Sequence, residues 1–89
     1  MTIKGYNEKS FAAARVTFRE ALEVLADPFV VRVLQHHSHA GNPRTLYVGK
    51  TLTERLLEIG VESMDGMDYY YHAEVARQEY KQLYEHQGV

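Results

Sequence analysis

Three imidazoles fall within four residues, in His36-His37-Ser38-His39, and imidazole serves both as a metal ligand and as an acid or base near neutral pH. Adjacent ligands on one regular element do not converge on a single ion, and the chain has no cysteine to complete a four-ligand set. The reading is a solvated histidine loop, with metal binding by His36, His37 and His39 or a pH-sensing role left open. Gly49-Lys50-Thr51 has the ending of a phosphate-binding loop, but Arg44 stands where that motif needs its first glycine. Thr51 is read instead as the start of a helix. Glu54, Glu58 and Glu62 recur at every fourth position, which sets them on one helical face, solvated and not catalytic. No serine, histidine and aspartate are placed to predict a triad. No catalytic residue and no cofactor is therefore expected.

The tyrosines say more. Five of the seven lie between residues 67 and 86, where helical spacing puts Tyr69, Ala73, Ala76, Tyr80 and Leu83 in one stripe. Tyr70, Tyr71 and Tyr84 fall off that stripe. With Asp65, Asp68 and Glu74 they predict an acidic, aromatic face for a protein partner, since tyrosine offers contact area with a polar tip. Tyr70, Tyr71 and Tyr84 are expected to be partly exposed and Tyr80 to be structural.

Charge is unevenly distributed. The formal net charge is −2, yet residues 28–55 carry +3 and residues 56–89 carry −5. Arg32, Arg44, Lys50 and Arg55 are the cations that would meet phosphate, predicting weak, salt-sensitive binding to nucleic acid. The absence of cysteine fits a reducing compartment. The N-terminal residues lack the apolar stretch of a signal peptide, and no apolar run is long enough for a membrane helix. A cytoplasmic location without membrane contact is the expectation.

These residues need elements to position them. Phe11, Ala14, Phe18, Ala21, Leu22 and Leu25 predict a helix over 10–26, and Asp27-Pro28 reads as a stop followed by a new start. Residues 29–37 are contested, because Val30, Val31 and Val33 favour a strand while Asp27-Pro28 favours a helix. Residues 38–44 form a loop and 45–49 a short extended piece. Thr51-Leu52-Thr53-Glu54 reads as a capping box opening a short helix that Gly60 ends. The last helix covers 67–86. The expected fold is a single domain over 1–89, mainly α, a compact bundle of about four helices with room for short β elements around 29–37 and 45–49.

Two family resemblances bear on function. Tyr47-Val48-Gly49 followed by Arg55-Leu56 resembles the core of GIY-YIG nucleases, which implies a degenerate nuclease: Val31 stands where that family's first tyrosine falls. Leu25-Ala26-Asp27-Pro28 through Val31-Arg32-Val33-Leu34, then Leu52 to Ser63, resembles the helical opening of arsenic-repressor-type winged-helix regulators. That likeness implies a helix-turn-helix, but puts the acidic Met64 to Tyr69 where a DNA-reading helix would stand.

The leading expectation is a small non-enzymatic interaction module, an inhibitor or regulator of a larger protein of the kind mobile elements encode, forming a homodimer. The alternatives are a helix-turn-helix transcriptional regulator and a degenerate nuclease.

Overall fold

Leu57, Ile59 and Val61 alternate with Glu58, Gly60 and Glu62, and Asp65-Gly66 follows closely: the pattern of a strand running into a tight hairpin. The computed structural model, which describes residues 2–87, has that hairpin at its centre. In chain order the elements are β1 (Ile3–Tyr6), α1 (Glu8–Ala14), α2 (Phe18–Ala26), β2 (Val31–Leu34), β3 (Arg44–Lys50), β4 (Leu56–Met64), β5 (Met67–Val75) and α3 (Gln78–Glu85). They form one five-stranded sheet in the order β1-β5-β4-β3-β2, antiparallel from β2 to β5, with β1 parallel to β5.

The mainly α bundle is thereby corrected. Residues 51–60, expected as a capped helix, are a turn and the first half of β4. The Thr51 hydroxyl accepts the Arg55 N–H at 3.0 Å, and Glu54 takes a left-handed φ of 65° to close the turn. Residues 67–75 of the expected tyrosine helix are β5, and only 78–85 are helical. The Met64 to Tyr69 segment is a β-hairpin, with Asp65 (φ 50°) and Gly66 (φ 79°) at its turn, so no recognition helix exists there. Residues 31–34 are a strand, because pairing with β3 uses the β-branched pattern that the Asp27-Pro28 signal opposed. The expected helix over 10–26 is broken at Arg15, which sits in the left-handed region (φ 55°).

A true capping box opens α2: the Glu20 N–H donates to the Thr17 hydroxyl at 3.1 Å, and the Thr17 N–H to Glu20 Oε1 at 3.0 Å. Helices α1 and α2 cover one face of the sheet. Phe11, Val16, Ala21 and Val24 pack on Leu57, Ile59, Val61, Tyr70 and Ala73. An aromatic group closes this core, with Phe18 edge-on to Tyr70 at 4.9 Å and stacked on Tyr6 at 5.0 Å between ring centroids.

Among the described residues the other face carries α3 alone. This helix buries no residue fully, so polar ties hold it. The Tyr84 hydroxyl donates to Asp27 Oδ2 at 2.6 Å, and the Gln87 amide donates to the Phe29 carbonyl at 2.6 Å. Burial and the Asp27 carboxylate together push the Tyr84 phenol up to about 12. Among the described residues no helix is long and apolar enough to cross a membrane.

Where α2 meets β3 the backbones nearly touch. A Cβ on Gly49 would lie 2.9 Å from the Val24 carbonyl oxygen. Gly49→Ala is expected to lower unfolding free energy by about 1–3 kcal/mol, read by urea denaturation.

Candidate functional site

A β-bulge shapes the open face. On β4, Gly60 pairs with His72 while Val61 pairs with Tyr70, so Tyr71 is an extra residue on β5. Its ring lies across Gly60, where an added Cβ would stand 2.6 Å from Tyr71 Cζ. Only glycine leaves room for it. The Arg44 guanidinium then stacks 4.3 Å from the Tyr71 ring centroid. Arg44 Nε donates to Glu62 Oε1 at 2.9 Å, and the Asn42 amide donates to Glu62 Oε2 at 3.0 Å. The Asn42 hydrogen bond, opposed by burial and helped by Arg44 and Ser38, holds the Glu62 carboxyl below its usual range. Arg44 is thus fixed in plane, and among the described residues its two terminal nitrogens make no hydrogen bond.

Beside it, Glu58 is fully buried. Arg77 donates its backbone N–H at 2.8 Å and its Nε at 3.1 Å to Oε1, and its Nη2 at 2.9 Å to Oε2. His72 Nε2 stands 2.9 Å from Oε2. Burial alone would raise this carboxyl, but the hydrogen bonds from His72 and Arg77, with the Arg77 charge, outweigh it and bring the pKa to about 2. An ionised Glu58 accepts a hydrogen bond from the Nε2–H of His72, which leaves Nδ1 as the open ring nitrogen. Glu74 Oε2 lies 3.7 Å from the same Nε2. Glu58, His72 and Glu74 thus form a set of metal-ligand type, their donor atoms within 4.8 Å of one another. Arg77 already places its positive charge against Glu58, however, so the set serves to orient donors more readily than to cage a cation.

Between these groups is a cleft of about 270 Å³, lined by Gln35, His36, His37, Arg44, Leu46, Tyr71, His72 and Arg77. Every charged or titratable group on its wall is a guanidinium, an imidazole or a phenol. Glu58 and Glu62 stand behind the wall and not on it. The arrangement suits an anion that needs several donors and an imidazole within reach.

The residues expected to bind a partner are dispersed. Tyr71 lies in the cleft and Glu74 beside it. Tyr70 is fully buried in the core, its phenol raised to about 12 by burial first and then by Asp68 and Tyr47. Tyr84 is tied to Asp27, Asp65 is in the hairpin turn, and Asp68 accepts from the Ser63 hydroxyl at 3.4 Å. Tyr80, expected as structural, is half-buried under the Arg77 guanidinium, 4.8 Å from its ring centroid.

The four cations do not converge either. Arg44 is in the cleft, Arg32 lies 5.9 Å from the Tyr47 ring centroid, Lys50 lies over Tyr84, and Arg55 pairs with Glu20 at 2.7 Å. His36 and His37 line the cleft, and His39 does not. Sequence reasoning misses Glu58, Glu62, His72 and Arg77 as a site. The alternation Glu58-x-Gly60-x-Glu62 is the available signal, and a helical period hides it.

The chain matches no protein-family model and no curated protein.

The depressed Glu58 carboxyl predicts a pH dependence of stability. Its folded value of about 2 lies below the 4.5 of an unperturbed glutamate, so the contribution is complete above pH 4.5 and is lost as pH falls toward 2. The loss amounts to about 3 kcal/mol. Urea unfolding measured from pH 6 down to pH 2 is expected to show it, with Glu58→Gln less stable at pH 6 and flatter across that window.

Proposed function

We propose that the chain binds single-stranded RNA at this cleft and cleaves its backbone by internal transesterification. The observation that carries the reading is the segregation of charge: donors on the cleft wall, the buried Glu58 and Glu62 behind them, and the exposed Glu74 outside the wall. A phosphodiester matches that wall, because its non-bridging oxygens accept from the free Arg44 nitrogens and from Arg77 Nη1. RNA supplies its own nucleophile in the 2′-hydroxyl, so the protein need contribute only a base, an acid and stabilisation of charge. Single strands are favoured because a recessed site requires nucleotides free of a duplex stack.

In the proposed step His72, its Nε2–H held by Glu58, takes the 2′-hydroxyl proton at Nδ1. The 2′-oxygen bonds to phosphorus as the bond from phosphorus to the 5′-oxygen breaks. A protonated His36 or His37 gives its proton to that leaving oxygen. The products are a 2′,3′-cyclic phosphate and a 5′-hydroxyl. Arg44 and Arg77 offset the negative charge that builds on the phosphoryl oxygens. This reading departs from the non-enzymatic role expected from the sequence, whose basis is a tyrosine-rich helix over 67–86 of which residues 67–75 form a strand.

A quenched RNA oligonucleotide and its DNA counterpart test the proposal. RNA alone is expected to be cut, giving cyclic phosphate ends. His72→Ala is expected to reduce the rate about 10²- to 10⁴-fold, and Arg44→Ala to weaken binding and rate together. Equal cutting of DNA, or a His72→Ala protein of unchanged rate, would reject this assignment.

A further inference from the structure

The two ends of β3 carry different surfaces. Arg44 opens the strand at the cleft, and Lys50 closes it at an apolar groove of about 680 Å³ that shares no lining residue with the cleft. Leu22 and Ala26 of α2 line this groove, and the turns at 27–30 and 51–54 flank it. Each turn displays a large apolar side chain where polar residues are the norm: Phe29 is 63% exposed and Leu52 80%.

Both turns are fixed by hydrogen bonds to carboxylates in α2 or just after it. Asp27 accepts the Phe29 N–H at 2.9 Å and the Lys50 N–H at 2.8 Å, while Glu23 accepts the Leu52 N–H at 3.0 Å. An exposed apolar side chain on an already ordered backbone costs little further entropy on docking. A contiguous apolar patch of this kind marks an interaction surface.

We propose that the occupant of this groove is a second copy of the chain, docked about a two-fold axis so that Phe29 and Leu52 of each copy fill the groove of the other. The patch holds both the projections and the hollow that receives them, as an isologous contact requires. Its exposed charges are also of both signs. The Arg19 side chain is 87% exposed, and its own-chain partner Glu23 is 3.7 Å away. Glu54 is exposed and makes no ion pair among the described residues. A two-fold axis sets Arg19 of one copy against Glu54 of the other, twice over. A surface for a strongly charged foreign partner would carry one sign, as the cleft does. The proposal does not depend on the cleft's chemistry, and it leaves both clefts of the dimer open.

Sedimentation equilibrium of the full chain tests it. A dimer is expected at about 10–100 μM, a range suited to an interface of modest size. Leu52→Asp and Phe29→Asp are expected to give monomers, with thermal melting unchanged at concentrations where the parent chain is also monomeric, since both side chains are exposed in a single copy. Arg19→Glu and Glu54→Arg are each expected to weaken dimerisation about 3- to 10-fold. Combined in one chain they restore it, and mixing the two single variants restores it as well. A chain monomeric at several hundred micromolar, which would leave the groove to a foreign protein, overturns the proposal. So does a dimer indifferent to Leu52→Asp, or a double variant no better than the single ones.

Discussion

The Glu58 carboxylate, in the central strand and without exposed surface, is the point from which the open side of the sheet is organised. It binds the first residue before α3 through both backbone and side chain, and it holds the imidazole of the neighbouring strand. Helix α3 contributes no fully buried side chain of its own, although Leu46 and Val48 are buried on the sheet face it covers. Ion pairing at its start and the Tyr84 and Gln87 hydrogen bonds at its end fix its placement there. A buried ion pair adds little net stability over an apolar replacement, but losing one partner is costly. The arrangement therefore specifies placement more than it adds strength.

A second constraint is steric. The bulge at Tyr71 and the missing side chain at Gly60 let an aromatic ring lie flat on the sheet, and that ring supports Arg44. With Glu62 gripping Nε, the guanidinium presents its remaining nitrogens outward. Both carboxylates thus neutralise their arginines from behind. A chain of net charge −2 can in this way carry a donor-lined cleft, since local placement of charge governs what a cleft attracts.

The same short helix borders both surfaces. Arg77, just before α3, lines the cleft, and Tyr84 near its end lines the groove through its bond to Asp27. Asp27 in turn holds the Phe29 turn and the end of β3. Burial opposes its ionisation, but the Lys50 N–H, the Tyr84 hydroxyl and the Phe29 N–H together hold its carboxyl below the usual range. Glu58 and Asp27, one at each end, anchor α3 across β3.

Some of this was written locally in the sequence. The helical spacing around Ala21, Leu22 and Leu25, the alternation from Leu57 to Glu62 and the Asp65-Gly66 turn each define their element through near neighbours. Thr17-Phe18-Arg19-Glu20 and Thr51-Leu52-Thr53-Glu54 share one cap pattern, yet the first opens a helix and the second a turn. The downstream residues decide between them: helix formers after Glu20, and after Glu54 an alternating run whose partners are β3 and β5. The site was not local. Glu58 and Arg77 are 19 residues apart and Arg44 and Glu62 are 18 apart. Only strand register sets Arg44 directly opposite Glu62, and only the bulge places Tyr71 over Gly60. Periodicity acts between residues a few positions apart and fixes an element, whereas the meeting of charges across strands depends on how those elements pack.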